Sequence, residues 1–107
     1  MEQERQTLLQ AQQLLQQQRY ADCATLLAPL CAAGRPLAAL GIAAMAHSLA
    51  GNAAAATDCF ERYLAARPAD APAWNNFGNH LRSREPERAI GCYGKAVALQ
   101  PDFADAR

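Results

Sequence analysis

The sequence predicts an all-α fold made of repeated helical hairpins, and three observations lead to this prediction. The segment 59–68, CFERYLAARP, is similar to the segment 92–101, CYGKAVALQP, which follows it at a constant step of 33 residues. A fixed period of this length is typical of stacked repeats. Ala, Leu, Gln, Arg and Glu dominate the chain, so the local propensity favours helix almost throughout. Glycine and proline clusters interrupt the chain at regular intervals and leave segments of a normal helix length.

Six helices are expected between these interruptions. Because the turns between them are short, each helix must pack antiparallel to its neighbour in the sequence. The expected ranges are 4–17, 20–33, 37–50, 53–66, 71–83 and 86–99.

The ends of these helices have physical causes. Asp70 precedes the fifth helix, where its carboxylate can accept hydrogen bonds from free backbone N–H groups. Pro72 and Pro86 fall in the first turns of the fifth and sixth helices, where the missing N–H costs nothing. Pro29 lies well inside the second helix, so we expect it to kink or shorten that helix.

Aromatic and small residues recur at fixed positions in successive helical pairs. The third pair supplies Trp74, Phe77, Gly78, Leu81, Ala89, Tyr93, Ala96 and Pro101, and the second supplies Leu40, Ala44, Gly51, Ala56, Phe60 and Pro68. The first pair is degenerate, with Ala11, Leu14, Tyr20, Cys23, Leu27 and Leu30 in equivalent places. The pattern resembles the tetratricopeptide repeat (TPR), whose 34-residue motif runs W-x2-L-G-x2-Y, then A-x3-F, then P.

This resemblance implies a right-handed α-solenoid of about three TPR helix-turn-helix repeats. The expected repeats are 4–36, 37–70 and 71–103 in a single domain 1–107, with 104–107 as the start of a truncated next repeat. Small residues such as Gly78 and Ala44 would let the two helices of a repeat approach closely. Trp74, Phe60 and Tyr93 would fill the space between repeats. These positions therefore concern packing and carry no chemistry of their own.

The sequence offers no catalytic, cofactor or metal site, so we expect a protein that is not an enzyme. His47 and His80 have no Asp, Glu, Cys or second His at helical spacing to complete a metal site. No glycine-rich phosphate loop is present, and no serine or threonine stands in a nucleophile-elbow motif. The four cysteines are widely spaced in apolar helical patterns and are interpreted as packing residues, with a metal or redox site as the alternative.

Charge and hydropathy limit the classes of partner. Ten acidic and ten basic residues balance, so the chain has no excess positive charge to bind the phosphates of nucleic acid. Binding to a membrane surface is disfavoured for the same reason. The amino terminus lacks the pattern of a signal peptide or a membrane span. We therefore expect a cytoplasmic location.

The resemblance also implies a groove lined by the first helix of each repeat. The matching positions are Leu8, Gln12 and Leu15 in the first repeat, Gly41, Ile42, Met45, Ser48 and Leu49 in the second, and Asn75, Asn76, Asn79 and Arg82 in the third. The groove would change from apolar to amide-rich, and regularly spaced amides suit the backbone of an extended peptide. For the first repeat, burial of the apolar positions by neighbouring helices is an equally good interpretation.

The sequence thus predicts a module that binds a protein or peptide partner in a concave groove. The resemblance extends to the repeats of bacterial proteins that carry a glycosyltransferase domain, where an asparagine ladder binds the substrate. Asn76 stands at the ladder position, whereas Ile42 and Leu9 occupy it in the other repeats. The alternatives are therefore the substrate-recognition region of a larger enzyme such as a TPR-linked glycosyltransferase, or a free-standing secretion chaperone or adaptor.

The carboxy-terminal end lacks the polar capping helix with which repeat arrays normally close. We therefore expect the chain to be the amino-terminal part of a longer, bacterial TPR protein. The exposed stacking face of the sixth helix, around Ile90, Tyr93 and Val97, would favour self-association.

Overall fold

The fold is all-α, as the sequence predicts. The computed structural model describes residues 2–34 and 37–100, and these residues form six α-helices and no strand. The helices are α1 (Glu2–Gln16), α2 (Tyr20–Ala33), α3 (Leu37–Ala50), α4 (Ala53–Ala66), α5 (Ala71–Leu81) and α6 (Pro86–Leu99). The predicted ranges of α2, α3, α4 and α6 are confirmed. The expected start of a further repeat at 104–107 lies outside the described residues.

The helix ends follow from the residues expected to cause them. Asp70 caps α5, because its Oδ1 accepts a hydrogen bond from the backbone N–H of Ala73 at 3.1 Å. Pro72 lies in the first turn of α5, and Pro86 is the first residue of α6. Gly34 ends α2 in the left-handed conformation, with φ +77°, and its N–H donates to the last carbonyls of that helix.

The expected ends of α1 and α5 differ from the structure, since α1 runs from Glu2 to Gln16 where 4–17 was expected. Pro29 does not shorten α2, which continues through it to Ala33. Pro29 is exposed, and water can pair with the carbonyl that loses its backbone partner. α5 ends at Leu81, two residues before the predicted end at 83. There the Leu81 carbonyl accepts hydrogen bonds from the N–H groups of Arg84 and Glu85, which turns the chain early.

The described chain divides into two compact units. The first ends at Tyr63 and the second begins at Leu64, so the boundary falls within α4. In the first unit α1, α2 and α3 pack against one another. Its core consists largely of small side chains, which allow helices to approach closely. The buried residues of these three helices are Ala11, Cys23, Ala24, Leu27, Ala39, Leu40, Ala43, Ala44 and Ala46.

The second unit is organised by the contact of α5 with α6. Gly78 of α5 is buried against the ring of Tyr93 on α6, and a Cβ at position 78 would lie only 2.7 Å from Tyr93 Cε1. The predicted role of Gly78 in close helix approach is confirmed. Trp74 is half-buried, with its Nε1 donating to the Pro68 carbonyl at 2.8 Å and the Lys95 ammonium 4.8 Å from its ring centre.

The contact between Gly78 and Tyr93 predicts opposite effects for alanine at two glycines of this unit. Gly78→Ala should lower the free energy of unfolding by about 1–2 kcal/mol, because overpacking outweighs the gain in helix propensity. Gly91→Ala is the matched control, since no atom would lie within 4 Å of its Cβ, and it should raise the free energy of unfolding by up to about 1 kcal/mol. Denaturant unfolding of the two variants measures both changes. Equal effects would contradict the close contact.

Candidate functional site

The predicted groove residues of the first two repeats lie in the first unit, where α1 packs against α3. The α1 residues are Leu8, Gln12 and Leu15, and the α3 residues are Gly41, Ile42, Met45, Ser48 and Leu49. Gln12 and Leu49 are exposed, and the other six are half-buried. The first unit therefore brings two of the three predicted sets onto neighbouring helices and leaves their side chains partly open to solvent.

The third predicted set lies in the second unit, with Asn75, Asn76 and Asn79 on α5 and Arg82 directly after its last residue. Asn79 and Arg82 are exposed and Asn76 is half-buried. Asn75 differs from this expectation, because only 6% of it is exposed. Burial at this position could not be read from helical periodicity, since it depends on which neighbours surround α5.

The amide of Asn79 is oriented by Tyr93. The Tyr93 hydroxyl donates to Asn79 Oδ1 at 2.7 Å. Since the carbonyl end of the amide is occupied in this way, the exposed side chain can offer its two Nδ2 hydrogens to a partner. The sequence reasoning assigned Tyr93 to packing only. A signal was nevertheless present, because the equivalent position in the second repeat is Phe60, which has no hydroxyl.

The carbonyl of Asn75 is buried without a hydrogen-bond partner among the described residues. A buried acceptor that loses water and gains no donor costs about 1–3 kcal/mol. Such groups are few in native proteins, and they often coincide with functional positions. Asn75 is therefore a weak point of α5 in terms of stability, and it stands next to the exposed amide positions.

A charged turn precedes α6. Glu85, Pro86, Glu87 and Arg88 line an open depression of about 350 Å³. The guanidinium of Arg88 lies 5.0 Å from the ring centre of Phe77 and 3.8 Å from a carboxylate oxygen of Glu85. The contact with Phe77 connects Arg88, in the first turn of α6, to α5.

Within the residues that the structure describes, no group of three or more His, Cys, Asp and Glu side chains is arranged to hold a metal ion. The same residues include no helix with the length and apolar character needed to cross a bilayer.

Comparison with known proteins gives two kinds of likeness, although no family model matches the chain. Peroxisomal targeting signal receptors from Candida albicans and Kluyveromyces lactis are 45% identical to it over 51 residues, and the receptor from Saccharomyces cerevisiae is 43% identical. Each match covers 47% of this chain and only 8 or 9% of the receptor. A mutant O-GlcNAc transferase from Thermobaculum terrenum is similar in structure over 95% of this chain, with a TM-score of 0.84 and 26% identity, and this chain covers 20% of it.

These likenesses agree with the 33-residue period that relates segments 59–68 and 92–101 and with the close contact of α5 with α6. The chain is thus similar to tetratricopeptide repeat proteins both in its recurring residues and in its fold. α1 packs with α2 and α5 packs with α6, which are the helix pairs expected for the first and third repeats. The predicted surface residues lie on α1, α3 and α5, except Arg82, which follows the last residue of α5, and Tyr93 lies on α6.

The buried carbonyl of Asn75 predicts an unusual stability effect. Asn75→Leu should raise the free energy of unfolding by about 1 kcal/mol, because it replaces an unpaired acceptor with an apolar group of similar volume. Asn76→Leu serves as the control, since that side chain is half-buried, and it should change stability little. Thermal unfolding compares the two variants. A clear loss of stability in Asn75→Leu would mean that the amide holds the unit together.

Proposed function

We propose that this TPR-like protein is an interaction module that binds an extended segment of a protein partner on the first helices of its repeats, with no catalysis of its own. In the second unit, Asn76 and Asn79 on α5, with Arg82 directly after it, would bind the backbone of a partner. In the first unit, the apolar faces of α1 and α3 would bind apolar side chains of a partner.

The oriented amide of Asn79 carries this proposal. A side-chain amide free to rotate can accept or donate, whereas Asn79 is left as a donor by the hydrogen bond from Tyr93. An extended peptide presents backbone carbonyls that lack partners, and fixed donors on a rigid helix bind such carbonyls at a low entropic cost. Arg82, the exposed residue that follows the end of α5, adds further donors through its guanidinium.

The surfaces of α1 and α3 have a different chemistry. Met45 and Ile42 are half-buried, and Leu49 is half exposed. Methionine is unbranched and adapts its shape to different apolar partners. These side chains would accept apolar side chains of a bound segment, so affinity for the first unit would come from apolar contact.

The similar receptors support a binding role, since their name describes proteins that recognise a targeting signal. This chain spans less than a tenth of their length, so a receptor role and a particular signal are not transferred to it. The comparisons do not favour a substrate-recognition role in a larger enzyme or a role as a secretion chaperone over protein binding.

We also propose that the partner is neither nucleic acid nor a membrane and that the protein works in the cytoplasm. The equal numbers of acidic and basic residues argue against a phosphate-binding surface. The four free cysteines suit a reducing compartment.

The α5 surface is tested by selecting a binder and removing one donor. A random peptide display library is panned against the chain, and the dissociation constant of a selected peptide is measured by calorimetry. Asn79→Asp keeps the acceptor for Tyr93 but removes the outward donor, so binding should weaken about fivefold to tenfold. Tyr93→Phe should weaken binding less, because it only frees the amide to rotate.

Asn52→Asp is the matched control, because Asn52 is an exposed asparagine in the turn before α4 and undergoes the same change of charge. Its binding should be unchanged. Equal losses in both aspartate variants would contradict a specific role for Asn79. A library that yields no binder would contradict the binding module as a whole.

We further propose that the isolated chain self-associates through the outer face of α6. Ile90 is 69% exposed and Leu99 is 44% exposed, while Val97 is half-buried. Tyr93, expected on this face, packs against Gly78 and hydrogen-bonds to α5, so Ile90 provides most of the apolar surface.

Self-association predicts that the average mass measured by light scattering rises with concentration. Ile90→Glu should abolish this rise, because a charge would be buried at the contact. Leu9→Glu places the same charge on another exposed side chain, on α1, and should leave the rise intact. A wild-type chain that stays monomeric over the whole concentration range contradicts the proposal.

A further inference from the structure

Two cysteines from different helices meet in the first unit. Cys59 on α4 and Cys31 on α2 lie close enough for each thiol to shift the pKa of the other. Arg62 follows one turn after Cys59, and its Nη2 donates to the Cys31 carbonyl at 2.7 Å. The Cys31 thiol donates to the carbonyl oxygen of Ala39, with the sulfur 3.7 Å from that oxygen. A thiol pair and a cation therefore occupy one small region between helices.

The two sulfurs differ in access to solvent. Cys59 is buried, with 5% of its surface exposed, whereas Cys31 is half-buried and near the end of α2. A small reagent can therefore reach the Cys31 sulfur, whereas the Cys59 sulfur is shielded from solvent. This is the arrangement required of a reactive thiol and a resolving thiol.

The charges favour ionisation of the accessible thiol. The hydrogen bond from Cys59 lowers the pKa of Cys31 to about 7, the positive charge of Arg62 lowers it further, and burial opposes both effects. The same hydrogen bond and burial raise the pKa of Cys59. The groups that face the pair are Arg62, the carboxylate of Asp58 and the thiol of Cys23. The lowered pKa favours the thiolate of Cys31, which is the nucleophilic form.

The other two cysteines provide internal controls. Burial raises the pKa of Cys23 and of Cys92. The Cys23 thiol donates to the Ala11 carbonyl at 3.2 Å, as expected of a packing cysteine. If all four cysteines served only as small core residues, nothing would distinguish Cys31 from these two.

We propose that Cys31 and Cys59 form a peroxide-reactive thiol pair, in which Cys31 is the site of oxidation and Cys59 converts the oxidised product into a disulfide. The Cys31 thiolate attacks one oxygen of hydrogen peroxide and the O–O bond breaks. Cys31 becomes a sulfenic acid, and the hydroxide released takes up a proton to form water. The Cys59 sulfur then attacks the Cys31 sulfur, and the S–OH oxygen leaves with the Cys59 proton as a second water.

In this reaction two thiols are oxidised to one disulfide and one peroxide is reduced to two waters. The bond would connect α2 to α4 in the first unit. Because the cross-link reduces the entropy of the unfolded chain, the oxidised protein should melt at a higher temperature than the reduced one, by on the order of 10 °C.

The pair is tested by treating the reduced protein with one equivalent of hydrogen peroxide, alkylating the remaining thiols and mapping the peptides by mass spectrometry. We expect the loss of two hydrogen atoms and a Cys31–Cys59 linked peptide, with Cys23 and Cys92 alkylated. Cys59→Ala should stop the reaction at a sulfenic acid on Cys31, which dimedone traps. Cys31→Ala should give no dimedone adduct and no disulfide. Cys92→Ser should behave as the wild type.

Two further measurements connect this reactivity to the fold. The alkylation rate of Cys31 should rise with pH through about 7, and the midpoint should move upward in Cys59→Ala and, to a smaller extent, in Arg62→Met. In denaturant the preference for Cys31 over Cys23 and Cys92 should disappear. Equal oxidation of the cysteines in the folded protein, or a sulfenic acid that persists although Cys59 is present, would overturn the proposal.

Discussion

The absence of a side chain at Gly78 is the constraint on which the candidate surface depends. Without a Cβ at this position, the ring of Tyr93 can lie directly against α5. That approach brings the phenol hydroxyl to 2.7 Å from Asn79 Oδ1 and so orients an exposed amide. A packing requirement of the repeat and a polar feature of its surface therefore share one contact. The packing residues Gly78 and Tyr93 therefore also affect the surface chemistry, because they determine which end of the Asn79 amide faces a partner.

Small side chains have a comparable effect in the first unit. Ala39, Ala43 and Ala44 are fully buried on α3, and a Cβ at Gly41 would lie 3.3 Å from the ring of Tyr63. Helices that pack through alanine and glycine approach more closely than helices separated by leucine, so polar groups near their ends come within reach of one another. The Cys31 sulfur near the Ala39 carbonyl is one result. Close packing of α2 against α3 thus sets the surroundings of one member of the proposed thiol pair.

The sequence predicted the helices well because their limits are local properties. Asp70, Pro72 and Pro86 act on the turn in which they stand, and the structure confirms all three. The end of α5 was placed too late because it depends on hydrogen bonds to the Leu81 carbonyl. Burial of Asn75 and the meeting of Cys31 with Cys59 were inaccessible to sequence reasoning, since each depends on helices brought together only by the fold. A period identifies equivalent residues, but it does not identify contacts.

A comparison of equivalent positions in the second and third repeats separates the two roles of Tyr93. Met45 and Phe60 occupy the positions that hold Asn79 and Tyr93 one repeat later. Phe60 is 3% exposed and shows that an aromatic ring without a hydroxyl satisfies packing at this position. The hydroxyl of Tyr93 is therefore not required to fill space. It occurs in the repeat whose first helix offers an amide to receive it, and it is missing where that helix offers a thioether. This paired change is expected if the hydroxyl serves the orientation of Asn79, and packing alone gives no reason for it.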